Sequence, residues 1–194
     1  MYQSKCVSAG PVSFPEFTGE RVYMRQFTKA SGLPQDLSRW QRTVDAMLDG
    51  VDAPGEIFIM IDQGLVQAGN THRRGGPHID GYWHADLKAH GGGGRHMGNW
   101  KIGPSWITVD LDRPEAIILA SDVAASRGWT GEYTGVGEGG AVQYYSIAHL
   151  SSFELGANCT HIGNVGFVHE STPVRETTPR TLVRLSVKDW EPTW

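Results

Sequence analysis

One helix-like stretch, followed by a long series of short apolar runs each cut off by Gly, Pro, Asn or Asp, limits this chain to a mostly β fold. The helix is predicted from Pro34, a residue favoured in a first helical turn, to Gly50, where a helix stops. Leu37, Trp40, Val44, Met47 and Leu48, with Val51 just past the stop, recur at three- and four-residue spacing and form one apolar stripe for packing on a core. After it the period changes. Glu56 to Ile61 is a short apolar run that reads as a buried strand. Further strands are expected at Arg21–Phe27, Val66–Ala68, Pro77–Tyr82, Ser105–Leu111, Ala116–Ala120, Val142–Ala148, Asn164–His169 and Thr181–Val187. Such a series fits a sandwich, barrel or jelly roll with one or two packing helices. The 25 glycines and 10 prolines supply the turns this needs.

With 194 residues the chain suits one domain overall. Residues 1–55 read as an N-terminal strand and helix packed on the core, 56–187 as the core, and 188–194 as a tail. Hydrophobic residues are 39% and charged residues 20%, ordinary for a chain that buries a core. The net charge of −4 and the lack of a long basic run argue against a nucleic-acid partner, although a local basic groove stays open. Cys6 and Cys159 do not make a disulfide framework. No secretory signal and no apolar run of membrane-spanning length is read, so a reducing, cytoplasmic setting is expected and the sequon at Asn158 carries no weight. Oligomeric state cannot be read from the sequence.

Three side chains carry the chemistry. His78 and Asp80 lie two apart, so on a strand they point to one face. His169 ends a strand on which Val165, Phe167 and His169 share a face, and it is the candidate third ligand. Two imidazoles and one carboxylate leave coordination positions open, which suits non-haem Fe(II). On the last strand Thr181, Val183, Leu185 and Val187 form an apolar face, and Arg180 and Arg184 lie on the opposite one. An arginine facing a barrel interior needs an anion, and its planar fork suits a carboxylate.

The order His-x-Asp, a distant His, then an Arg eleven residues later resembles the Fe(II)/2-oxoglutarate-dependent dioxygenases. The resemblance covers about residues 56–187, through Gly69–Asp80 and Gly163–Val174, and no subfamily is identified. It implies a double-stranded β-helix, the cupin-like jelly roll. It implies His78, Asp80 and His169 as iron ligands, Arg180 or Arg184 as the anchor of 2-oxoglutarate, and Asn70 as a polar contact of that co-substrate. The activity implied is hydroxylation of a C–H bond, with O₂ and a small molecule or a side chain as substrates. Two alternatives stay open: a non-catalytic β-jelly-roll module for assembly or binding, and a cupin-type metal enzyme that does not use 2-oxoglutarate.

Other features are weaker. Trp83 to Pro104, rich in Gly and holding His84, His90 and His96, is expected to be a long loop and a candidate lid. Its histidines read as exposed loop residues or as a second metal site. Trp83, Trp100, Trp106 and Trp129 read equally as core or as pocket wall. Gly135 to Gly140 satisfies G-x-G-x-x-G, but a strand is expected after it rather than a helix, so it reads as a turn. Glu170 and Ser171 alternate in direction beside His169 and do not make a hydrolase triad.

Overall fold

The computed structural model describes residues 1–80, 99–102, 105–108, 114–137 and 140–194. The chain is mostly β. Its strands are β1 (Tyr2–Ser4), β2 (Cys6–Pro11), β3 (Arg21–Thr28), β4 (Glu56–Val66), β5 (Asn99–Ile102), β6 (Ser105–Thr108), β7 (Glu115–Ser121), β8 (Ser126–Tyr133), β9 (Ser151–Glu154), β10 (Cys159–Asn164), β11 (Val168–Ser171) and β12 (Thr178–Lys188). A large antiparallel sheet has the order β2-β10-β7-β12-β4-β3. A smaller one joins β1 and β9 to β8, and β8 to β11, while β5 and β6 form a separate hairpin.

The helical stripe packs as the spacing predicts, but the helix is shorter. A 3₁₀ turn over Gln35–Trp40 runs into α1 (Gln41–Met47), and Pro34 stays extended ahead of it. All six stripe residues are buried against the outer face of the large sheet, where Ile57, Ile59 and Ile61 of β4, Ile118 of β7 and Val183, Leu185 and Val187 of β12 complete the main core. The alternate residues of these strands face the small sheet. Met24, Phe58, Met60 and Leu182 cluster there, as do Ile117 and Leu119 with Phe167 and Leu155.

Several expected elements are corrected. Val142–Ala148 is not a strand: α2 (Tyr144–Ile147) occupies it, with Tyr144 and Tyr145 exposed and only Ile147 turned inward. Asn164–His169 is broken. β10 ends at Asn164, a turn closed by Phe167 N–H donating to Asn164 C=O at 3.0 Å follows, and β11 begins at Val168. That turn sends Val165 to the outer face of the small sheet, away from Phe167 and His169. The N-terminal residues add three strands rather than one. The expected loop Trp83–Pro104 contains β5, and its remainder, with Trp83, His84, His90 and His96, lies outside the described residues. Among the described residues no helix is long and apolar enough to cross a membrane. Both cysteines are free.

Candidate metal centre

His78 and His169 face each other directly across two backbone segments. His78 N–H donates to His169 C=O at 3.0 Å, and His169 N–H donates to His78 C=O at 2.9 Å. Two residues that exchange both hydrogen bonds in an antiparallel pair present their side chains on the same face. The two imidazole centroids are accordingly 4.7 Å apart. Asp80, two residues on, returns to that face and brings its Oδ2 to 3.4 Å from His169 Nε2. Between them Ile79 turns the other way, into an apolar cluster with Trp129, Tyr133, Val142, Ile147 and Val168. That cluster fixes the register, since a slip of one residue would bury Asp80 in it. The segment is held on its far side by residues 140–142: Ile79 N–H donates to Gly140 C=O at 3.0 Å, and Val142 N–H to Pro77 C=O at 2.9 Å.

Among the described residues, potential ligand atoms of His78, Asp80 and His169 all lie within 4.8 Å of one another. Their chemistry fits a divalent metal. His78 Nδ1 lies 2.8 Å from Gly76 C=O, and His169 Nδ1 lies 3.1 Å from Phe167 C=O. A carbonyl only accepts, so these contacts favour the proton on Nδ1 of each ring, the tautomer that turns an Nε2 lone pair to a metal. Gly76 has a φ of 78°, a backbone conformation suited to glycine, and this turns its carbonyl under the ring. Burial and the neighbouring His169 push the His78 imidazole down to about 4, against the pull of Asp80, so at neutral pH it is uncharged and able to ligate. Burial alone would raise the Asp80 carboxyl, but Arg184 and then the two histidines outweigh it and hold it well below the usual carboxylate range.

The two arginines of β12 both turn inward and have different surroundings. Arg184 donates from Nη1 to Asp80 Oδ2 at 2.7 Å and from Nη2 to Met24 Sδ at 3.2 Å. Arg180 is wholly buried, with Nε on Ser121 Oγ at 3.0 Å and Nη2 on Ser126 Oγ at 2.9 Å. Its Nη1 has no partner, and among the described residues no carboxylate lies within ion-pair distance of it. Burial pushes its guanidinium down to about 10, with Asp122 and Asp62 pulling the other way from further off. Both serines line a cavity of about 20 Å³, bounded also by Leu119, Leu155, His161 and Leu182. Ser126 further lines an open groove of about 820 Å³ between the β7–β8 and β11–β12 connections.

The structure thus brings His78, Asp80, His169 and Arg184 together, with Arg180 two strand repeats away on the same face of β12. It does not bring Asn70 into this group. Asn70 lies on the exposed turn after β4, and its backbone bonds to Gln67 and Val174. Trp129 belongs to the outer cluster and does not face the histidines. Glu170 points outward as expected, accepting from Tyr144 Oη at 2.6 Å.

Sequence reasoning missed four contributors. Ser121 and Ser126 hold Arg180, and no local pattern marks them. Phe167 underlies His169. Asp62, on the inner face of β4, ties down the segment that leads to His78 through Arg73 at 2.8 Å and His72 at 3.5 Å, and it also pairs with Arg21 of β3 at 3.4 Å. The bare Cα of Gly64 makes room for that His72 ring, since a Cβ there would come 3.0 Å from Nε2. The pair His72-Arg73 ahead of His78 was a visible signal, but its partner was not.

In comparisons with known proteins, no family model, no curated protein and no solved structure matches the chain.

Proposed function

We propose that the chain is an Fe(II)/2-oxoglutarate-dependent dioxygenase that hydroxylates a C–H bond, built on a double-stranded β-helix. The strand order supports the fold. From β4 the chain crosses to the His78 segment, back to β7, over to β8 and β9, back to β10, over to β11, and back to β12. This interleaving puts β10-β7-β12-β4 in one sheet and β9-β8-β11-His78 in the other, an order that supports reading them as the two walls of a jelly roll.

The observation that carries the reading is Arg180. A wholly buried guanidinium whose partners are two neutral hydroxyls is costly unless an anion joins it. Arg184 suits that role less well, because it is already paired with Asp80. A metal enzyme or a binding module that takes no anion would leave the Arg180 charge offset only by Asp122 and Asp62. In this reading the Nε2 atoms of His78 and His169 and the carboxylate of Asp80 hold the iron, and Arg184 keeps Asp80 ionised and aimed. Arg180 takes the far carboxylate of 2-oxoglutarate. The cavity beside its serines has room for one water-sized group, so only the head of the co-substrate enters there and its chain comes from the metal side. When bound, the iron and co-substrate supply oxidative decarboxylation coupled to C–H hydroxylation. The protein supplies position and a shielded interior.

The test is release of labelled CO₂ from 2-oxoglutarate with added Fe(II). Wild type should release it and His169→Ala should not. Arg180→Met should also lose the melting shift that 2-oxoglutarate gives the Mn(II)-loaded protein, while itself melting higher than ligand-free wild type because an unpaired buried charge is gone. Turnover that survives His169→Ala sinks the assignment. So does an unchanged 2-oxoglutarate shift in Arg180→Met.

A further inference from the structure

Phe167 sits in the turn between β10 and β11, 1% exposed, with its ring in the interior between the sheets. Two strands carry glycine where they pass it. A Cβ on Gly128 of β8 would come 2.6 Å from Phe167 Cζ, and one on Gly163 of β10 would come 2.6 Å from its Cγ. No real side chain approaches that closely. Glycine weakens a strand interior and commonly marks a close approach, and here it occurs on both flanks of one ring. The clasped ring continues a stack. Phe153 lies on one side at 6.1 Å and 26°, and the His169 imidazole on the other at 5.4 Å and 20°. The carbonyl of the same residue also accepts the Nδ1 proton of His169 at 3.1 Å.

We propose that Phe167 is a positioning residue for His169, a claim that rests on the metal centre described above. Phe167 grips that imidazole twice. The hydrogen bond sets the rotation of the ring about Cβ–Cγ, and the stack resists its tilting. Together they aim Nε2 toward Asp80 and His78. The clasp by Gly128 and Gly163 is what prevents Phe167 itself from moving. Groups that orient a ligating histidine from outside typically change metal affinity about 10- to 100-fold when removed.

The experiment is titration of the full chain with Co(II), followed by visible absorption and paired with a melting curve for each variant. Wild type should bind in a His169-dependent way. Phe167→Leu keeps the carbonyl but loses the stack, and should bind Co(II) about 10-fold or more weakly with an altered absorption band. Gly128→Ala displaces the ring and should do the same. Gly10→Ala, where an added Cβ meets nothing within 4 Å, should change neither readout. In the double variant Gly128→Ala/Phe167→Leu the shorter side chain relieves the clash with Phe167, and only the 2.9 Å approach to Phe153 Cζ remains. Its melting temperature should recover relative to Gly128→Ala while its Co(II) affinity stays low. Should Phe167→Leu not fold, Phe167→Met supplies the bulk without the planar face and should show the same weak binding. Wild-type affinity in a folded Phe167 variant overturns the positioning role and leaves the metal site standing. Absence of His169-dependent binding in wild type overturns both.

Discussion

The imidazole of His78 is where burial and ligand geometry meet, and its titration has a definite sign. In the unfolded chain it protonates near 6.5, but in the folded chain only near 4. Between those values the unfolded state binds the extra proton, so stability falls as pH falls. The His78 contribution is complete above pH 6.5, is lost progressively toward pH 4, and changes no further below that. Its full span is about 3 kcal/mol at most. Burial lowers His161 as well, so that side chain adds to the loss in the same direction. Asp80 acts in a lower window. Its depressed carboxyl contributes fully above its ordinary value of 3.8, and that contribution is lost progressively below it, down to the folded value. The expected result is that metal-free protein loses stability in urea melts as pH is lowered from 6.5 to 4, and that His78→Gln loses distinctly less over the same range. Equal slopes in the two proteins would show that His78 is not held neutral by its surroundings.

At the scale of elements, β12 shows how one strand serves two purposes. Leu185 and its neighbours of the same parity bury in the main core, while Arg180 and Arg184 face the small sheet. Adjacent residues should therefore fail differently. Leu185→Ala should cost about 2–5 kcal/mol in denaturant melts through the cavity it leaves, with Co(II) affinity unchanged within a few-fold. Arg184→Ala should lower Co(II) affinity, because Asp80 loses its aim. A Leu185→Ala protein that folds but no longer binds metal would show that the two faces are not separable. This alternation is a local property, so it was legible in the sequence, and so was the i, i+2 pairing of His78 with Asp80. What the sequence did not show depends on contacts distant along the chain. β8 was overlooked because its inner face carries Ser126 and Gly128 in place of aliphatic residues. Gly128 is there to admit Phe167, and Ser126 to hold Arg180, neither of which is visible before the sheets are paired. Val142–Ala148 misled for the opposite reason. Its two tyrosines have high strand propensity, but both are exposed, and propensity yields to burial when a segment has only Val142 and Ile147 to turn inward.

At the scale of the whole molecule, the candidate metal centre is assembled from three separate stretches of chain. His78 and Asp80 follow β4, His169 lies on β11, and Arg184 on β12. The N-terminal strands lock the β10–β11 turn from a third direction. Ser4 Oγ accepts the Val168 N–H at 2.9 Å and donates to Trp129 C=O. The Asn164 side chain accepts from Lys5 N–H at 3.0 Å and donates to Gln3 C=O at 2.8 Å. Tyr133 Oη closes the turn by donating to Gly166 C=O at 2.9 Å. Pairings so remote in sequence form late and together, so folding should be slow and equilibrium unfolding should be one transition. With Co(II) bound, far-UV circular dichroism, tryptophan fluorescence and the visible Co(II) band should be lost at a common urea midpoint. Metal at a hundred times its dissociation constant should raise stability by about 2.7 kcal/mol, moving the circular dichroism and fluorescence midpoints together above their metal-free values. A Co(II) band that disappears at lower urea than the circular dichroism would mean that the centre opens on its own. In that case the long-range ties through Ser4 and Asn164 do not couple it to the fold.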